Sequence, residues 1–264
     1  MIDIHAHLLP AIDDGAENLE ESIKMAASAF DAGTEIMVVT PHTLNGIYKN
    51  NRKIILDNLK KTKESLVRNN IKLKLIPGTD AALTPELIPY LESGDLMTIN
   101  DSGKYILAEL PPYYETDKIY KIIFDLQVHG ITPIITHPER DSLILKNVDI
   151  LRGLLDRGCL SQITAMSITG GFGKVIKDFS TYLIENQLVH VVASDCHSVD
   201  KRGPSMKSAF TMLSNLAGDE YARNMALNYP MSIIDGETID IPPYKNETRK
   251  RSGWFWRKFI DRSY

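Results

Sequence analysis

The chain has 264 residues, 24% of them charged and 43% hydrophobic, with a formal net charge of -4 at pH 7. That length and composition predict one large globular domain with a full core, and the small net charge argues against a nucleic-acid footprint spread over the surface. Cys159 and Cys196 make no disulfide framework, no apolar run approaches a membrane span, and the first strand-like run starts at Ile2 with no room for a signal peptide; a cytoplasmic location is expected.

In chain order, seven apolar, β-branched runs read as strands: IDIH (2–5), IMVVT (36–40), LKLIP (73–77), YILAE (105–109), TPIIT (132–136), LSQIT (160–164) and VHVVAS (189–194). Helical signatures lie between them. Asn18 followed by Glu21 resembles a capping box, opening a helix that runs to Ala32 and stops at Gly33, and a charged amphipathic stretch fills 50–69. Further helices are expected at 85–93, 117–129, 147–157, 174–187, 204–217 and 219–228. Strand and helix alternate with no repeat and no linker before about residue 235, which implies a parallel sheet, either doubly wound or closed as a barrel.

The residues at the run ends separate those two folds. At or just beyond six of the seven ends stand His5 with His7, His42, Asp80, Glu109, His137, or Asp195 with His197, and Asp14 follows in the first loop. Successive side chains of a strand alternate faces, so His5 and His7 point the same way and can grip one ion. Imidazole and carboxylate suit Mn, Fe, Zn or Mg in a multinuclear centre rather than a thiolate-held structural zinc. A doubly wound sheet gathers its site at one switch point, whereas functional residues from almost every strand end require those ends to share one mouth. The expected fold is therefore α/β, an irregular seven-stranded (β/α) TIM-like barrel. A single histidine after a strand is ordinarily structural, and the recurrence carries the reading. His129, before Gly130 at a helix end, and His190, at the start of a strand, fit the ordinary structural role.

After residue 240 the chain reads PPYKNETRKRSGWFWRKFIDRSY, with cations interleaved among Trp254, Phe255, Trp256 and Phe259. A barrel over 1–243 and a basic, aromatic tail over 244–264 are expected, the tail packing on the barrel, lying disordered, or meeting an anionic membrane surface or a partner protein.

The segments DIHAHLLPAIDDGA, TPH, GTD with TPEL, NDSGKYILAEL, GITPIITHPER, QITAMSITGGFGK and VHVVASDCHSVDKRGP resemble the polymerase-and-histidinol-phosphatase (PHP) superfamily. More closely they resemble its bacterial capsule-biosynthesis tyrosine phosphatases of the CpsB/CapC/YwqE type, over residues 1 to about 235. The resemblance implies the PHP fold and a trinuclear, usually manganese-dependent site. His5, His7 and Asp195 would hold one ion, Glu109 and His137 a second, and Asp14, His42 and His197 a third, with Asp80 bridging the first two. It implies a metal-dependent protein-tyrosine phosphatase acting on a bacterial tyrosine kinase in capsule or exopolysaccharide assembly. A histidinol-phosphatase-like small-molecule phosphomonoesterase and a weakly active kinase-docking protein are the alternatives. Three positions depart from the family pattern: Asp80 stands for Glu, Thr164 for an amide residue, and Thr43 for a second histidine.

Phosphotyrosine is largely dianionic at neutral pH and repels hydroxide, an obstacle that cations remove. Arg140 in HPER and Arg202 in DKRGP could meet phosphate oxygens bidentately. Cys196 and Arg202 match the Cys-x5-Arg spacing of thiolate phosphatases, but the loop between them has no glycine and Cys196 lies between two expected metal ligands, so the metal route is favoured.

Overall fold

The computed structural model describes residues 1–245. Nine strands are present among them: β1 (Ile2–Ala6), β2 (Ile36–Val39), β3 (His42–Thr43), β4 (Lys74–Pro77), β5 (Asp80–Ala82), β6 (Tyr105–Glu109), β7 (Thr132–Thr136), β8 (Leu160–Thr164) and β9 (Val191–Ala193). They pair in parallel as β1-β2-β4 and as β3-β5-β6-β7-β8-β9. β3 and β5 extend the lines of β2 and β4: Val39 pairs with Pro77, and beyond it His42 pairs with Asp80. The nine strands thus make the seven members expected from the seven runs. The ring returns from β9 to β1 through a parallel bridge between Ala6 and Cys196, with Asp195 N donating to His5 O at 2.8 Å and His7 N to Cys196 O at 2.9 Å. It is irregular because β6 pairs with β5, while the 3-10 turn Ile99–Asp101 packs against β4 and β6 below.

Both faces of these strands are buried, which is why the runs are apolar throughout rather than alternating. Ile2, Val38, Ile76, Leu107, Ile134 and Val191 form the inner core, and Val39, Ile106, Ile135, Ile163 and Val192 face the outer helices. The alternation breaks in β1, where the register with β2 shifts between Asp3 and Ala6. Ile2 and Ile4 consequently join the inner core and Ala6 the outer one. Asp3, fully buried, accepts from His5 N at 3.3 Å and Ser194 N at 3.0 Å, satisfying backbone donors at the irregular step.

Helix Leu19–Asp31 starts where the capping residues place it, the Asn18 side chain accepting from Glu21 N at 3.0 Å. The helices expected at 85–93 and 147–157 shorten to Leu87–Glu92 and Asp149–Leu155. Two five-residue helices, Ser142–Lys146 and Ala165–Thr169, were outside the sequence expectation because so short a segment shows no periodicity. The helix expected over 219–228 runs as Asp219–Arg223, passes through a π-turn at Asn224–Asn228 and continues as Tyr229–Asp235. Pro230 sits directly after the π-turn, in the first turn of that last piece. Ile233 and Ile234 then pack with Ile2, Tyr105 and Leu160 and plug the barrel at the N-terminal ends of its strands.

Tyr244 OH donates to Asp156 Oδ1 at 2.7 Å and Lys245 N to Asn186 O at 3.0 Å, so the first two residues of the expected tail lie on the barrel. Residues 246–264, with Trp254, Phe255 and Trp256, lie outside the described residues. Among the described residues no helix is long and apolar enough to cross a membrane.

Candidate metal centre

At the C-terminal mouth, β1 directs two imidazoles to one point: His5 Nε2 and His7 Nε2 are 3.0 Å apart. Each opposite nitrogen has an acceptor. His5 Nδ1 meets Gln162 Oε1 at 3.0 Å and His7 Nδ1 meets Asp13 Oδ2 at 2.8 Å. With the protons held on Nδ1, two Nε2 lone pairs face each other, an arrangement that a proton or a cation between them reconciles. Asp195 Oδ1 stands 3.5 Å from both Nε2 atoms, and Asp80 Oδ2 stands 3.5 Å from that of His5.

Two further groups adjoin the first. His137 Nε2 lies 3.5 Å from Glu109 Oε1, and His42 Nε2 and His197 Nε2 each lie 3.5 Å from Asp14 Oδ1. His42 also turns Nδ1 toward Asp80 at 3.2 Å and Glu109 at 3.5 Å, so its ring faces the second group as well as the third, a reach the residue spacing does not reveal. His7, Asp14, His42 and His197, then His5, His7 and Asp80, then His42, Asp80 and Glu109 each bring their ligand atoms within 4.8 Å of one another. The fit to cations is chemical as well as geometric. Both Asp80 oxygens are buried and, among the described residues, receive no backbone or hydroxyl donor, facing only the imidazole nitrogens of His42 at 3.2 Å and His5 at 3.5 Å, an environment that suits a cation between carboxylate and imidazoles.

Two ligand-bearing turns adopt strained backbone. His137 has φ 36° and Asp195 φ 51°, left-handed values that non-glycine residues rarely adopt, at the two turns where β7 and β9 leave the barrel. The first loop is held by close approach: a Cβ at Gly15 would stand 2.1 Å from His7 O. Asp13, whose Oδ1 accepts from Gly15 N at 2.9 Å and whose Oδ2 accepts from His42 N at 3.1 Å, therefore braces His7 and the β3 strand together.

Charge is unevenly shared. Burial opposes a charge on His5, but the Asp195 and Asp80 carboxylates outweigh it and push the imidazole up to about 9. For His42 burial is likewise outweighed, chiefly by Asp80, and it rises to about 10. Burial and then the Asp80 charge push Glu109 up to about 7. Burial, reinforced by His7, brings His197 down to about 4, and burial with Arg140 holds His137 well below the usual imidazole range. Protons on His5 and His42 thus offset the carboxylates in the metal-free chain, the task cations would take over.

Both expected arginines reach one atom. Arg140 Nη2 and Arg202 Nη2 donate to Asp195 Oδ2, the second at 2.8 Å, and both Nε atoms are buried without a partner among the described residues. The two arginines and six of the nine expected ligands line a cavity of about 1070 Å³ whose other wall carries Leu44, Ile47, Pro111 and Tyr113. Cys196 faces the core instead. It is fully buried, and burial pushes its thiol up to about 12, leaving no thiolate near neutral pH and no cysteine nucleophile.

Several positions escaped the sequence reading. Asp13 could have been flagged from the carboxylate–histidine pairing common behind metal sites. Glu139, fully buried, accepts from Thr164 N at 3.0 Å and Ser167 Oγ at 2.6 Å and pins the HPER turn to the end of β8; Asp3 acts on β1 as described. Neither has a local signal. Thr164, where an amide residue was expected, leaves its Oγ1 buried without a partner.

The model of the family "Capsular polysaccharide synthesis, CpsB/CapC" matches residues 1–235. The tyrosine-protein phosphatase YwqE of Bacillus subtilis (strain 168) is 36% identical over 255 residues, covering 97% of this chain and 100% of that protein. The tyrosine-protein phosphatase CpsB of Streptococcus pneumoniae is 31% identical over 244 residues, covering 90% of this chain and 100% of CpsB. Among solved structures, the crystal structures of YwqE from Bacillus subtilis and CpsB from Streptococcus pneumoniae, described as unique metal-dependent tyrosine phosphatases, include a chain that superposes with a TM-score of 0.89 at 35% identity, covering 94% of this chain and 100% of that one. With a family match over nearly the whole barrel and a fold superposing throughout, this chain belongs to the CpsB/CapC family of capsular polysaccharide synthesis.

Proposed function

We propose that this chain is a metal-dependent protein-tyrosine phosphatase of capsular or exopolysaccharide synthesis, with a phosphotyrosine protein, a bacterial tyrosine kinase, as substrate and Mn2+ as its physiological ion. The observation that carries the reading is the buried Asp80 carboxylate, faced among the described residues by imidazole nitrogens alone, at the junction of three groups of histidine and carboxylate atoms. His5, His7 and Asp195 would hold a first ion, Glu109 and His137 with His42 a second, and Asp14, His42 and His197 a third, with Asp80 lying between the first two groups. When bound, divalent cations supply charge for the phosphoryl oxygens and a water acidic enough to attack near neutral pH.

The chain's own residues do the rest. Gln162 and Asp13 keep the His5 and His7 protons on Nδ1, so both Nε2 atoms present lone pairs. Asp195 divides its carboxylate, Oδ1 toward the imidazoles and Oδ2 toward Arg140 and Arg202, which keeps the two guanidinium groups beside the cluster. Both guanidinium groups line the cavity, where they meet the phosphate oxygens. The apolar wall at Leu44, Pro111 and Tyr113 suits an aryl ester, and the exposed Ile47 and Tyr113 at the rim suit a protein surface better than a small polar alcohol. The protein works in the cytoplasm, and the basic, aromatic tail over 244–264 is the segment suited by composition to an anionic membrane surface or to the kinase.

The test is a phosphatase assay on metal-stripped protein with Mn, Fe, Zn or Mg restored, run on a phosphotyrosine peptide and on histidinol phosphate. The peptide is hydrolysed only after metal is restored, with Mn the most effective. Equal turnover in excess chelator contradicts the metal route, and preference for histidinol phosphate transfers the chain to the small-molecule phosphatases.

A further inference from the structure

The glycine-rich segment Thr169-Gly-Gly-Phe-Gly173 belongs to none of the three metal groups, yet it reaches the site through one side chain. The Arg140 guanidinium carbon sits 5.0 Å above the centre of the Phe172 ring. Arg140 needs such a support. Its Nη2 is tied to Asp195 and its Nε has no partner among the described residues, so a single carboxylate contact leaves the plane of the guanidinium unset. A ring face under the guanidinium holds its plane without consuming a donor, which a carboxylate partner would do.

The backbone around Phe172 is built to keep the ring there. Gly170 and Gly173 take φ of 93° and 88°, conformations a side chain would strain. A Cβ at Gly171 would stand 2.5 Å from Met166 Cγ, so the loop packs down on the preceding helix, Ala165–Thr169. That same helix carries Ser167, which with Thr164 N grips Glu139, the residue immediately before Arg140. The HPER turn is therefore fastened to residues 164–172 at two adjacent positions, Glu139 inward by hydrogen bonds and Arg140 outward by its stack.

We propose that Phe172 is a positioning residue for phosphate recognition: its ring fixes the plane of the Arg140 guanidinium so that this group, which lines the cavity, meets a phosphoryl group held at the cluster. The inference rests on the reading of Arg140 as a phosphate ligand. It predicts that Phe172 acts on binding of the anion and not on retention of metal.

The experiment measures competitive inhibition of the metal-loaded full chain by inorganic phosphate, together with KM and kcat on a phosphotyrosine peptide, for Phe172→Leu, Phe172→Trp, Arg140→Ala and the Phe172→Leu, Arg140→Ala pair. Phe172→Leu raises the phosphate inhibition constant and KM roughly two- to tenfold, the span of a cation–π contact, with bound metal unchanged. Phe172→Trp, which keeps a ring face, stays within about twofold of the native protein. In the Arg140→Ala background the Leu substitution adds nothing, because the two residues act as a unit. A strong Arg140→Ala effect beside native phosphate inhibition in Phe172→Leu overturns the positioning role while sparing the reading of Arg140. Native inhibition in Arg140→Ala overturns both. Loss of metal in Phe172→Leu together with Phe172→Trp overturns the inference in favour of a purely architectural loop.

Discussion

The two ends of the barrel contain the same kind of residue in opposite electrical states. At the N-terminal end His190 is buried beside Ser161, whose N–H and hydroxyl lie 3.0 and 3.1 Å from its Nδ1, and burial alone brings it down to about 4. At the C-terminal end His5 is more deeply buried and yet rises to about 9, because Asp195 and Asp80 stand beside it. Burial by itself favours the neutral imidazole; at His5 and His42 the carboxylates reverse it, while His137 and His197 at the same end stay depressed. The lower end is closed by the apolar Ile2, Tyr105, Ile233 and Ile234, whereas the upper end buries the Asp80 carboxylate among imidazoles, His42 at 3.2 Å and His5 at 3.5 Å.

The largest break in that contrast comes from removing the paired imidazoles. His5→Ala with His7→Ala lowers turnover of a phosphotyrosine peptide by several orders of magnitude, since both first-group lone pairs vanish; an active double variant, by steady-state assay, removes these residues from the chemistry. Asp80→Ala comes next, with most activity lost. Asp80→Glu raises metal affinity and activity at limiting Mn, because the side chain at this junction is one methylene shorter than the family pattern. Coincident metal titrations of the native and Glu proteins would mean that the present reach, 3.5 Å to His5 and 3.2 Å to His42, already suffices.

Arg140→Ala or Arg202→Ala weakens transition-state charge stabilisation by about 2–4 kcal/mol in kcat/KM, and less than about threefold for both sets the arginines aside. The smallest effects lie at residues outside the cluster. Cys196→Ala keeps most activity, as a thiol with its pKa near 12 supplies no nucleophile; a folded, metallated but dead variant revives the cysteine mechanism. His190, with its folded pKa depressed to about 4 from about 6.5 unfolded, contributes stability that is full above about 6.5 and is lost as pH falls toward 4. Urea denaturation across that window shows a slope that His190→Gln flattens, and an unchanged slope assigns the acid loss to other groups.

The barrel is legible in the sequence because its runs are apolar on both faces and punctuated by polar residues at the exit ends, so His5, His42, Glu109, His137 and Asp195 mark one mouth. What was not legible depends on pairing rather than pattern. The shift between Asp3 and Ala6 is invisible in IDIHAH, although it sets which face His5 takes. The double reach of His42 arises from the pairing of His42 with Asp80 across β3 and β5. Asp13 and Asp14 are neighbours of one type, and only the fold separates the brace of His7 from the residue facing His42 and His197. Phe172 lies in a segment with a glycine signature but no hint of Arg140, which comes from a different strand end.

The central claim, that the upper end is completed by cations in place of protons, is tested most directly by calorimetric titration of metal-free protein with Mn2+ near pH 7 in buffers of different ionisation enthalpy. Metal must displace the protons that His5 and His42 carry at about 9 and about 10, and part of that on Glu109 at about 7. The account predicts release of more than one proton per protein, affinity that rises with pH, and loss of both in the His5→Ala, His7→Ala variant. Tight Mn2+ binding without proton release, or equal binding by that variant, would contradict it.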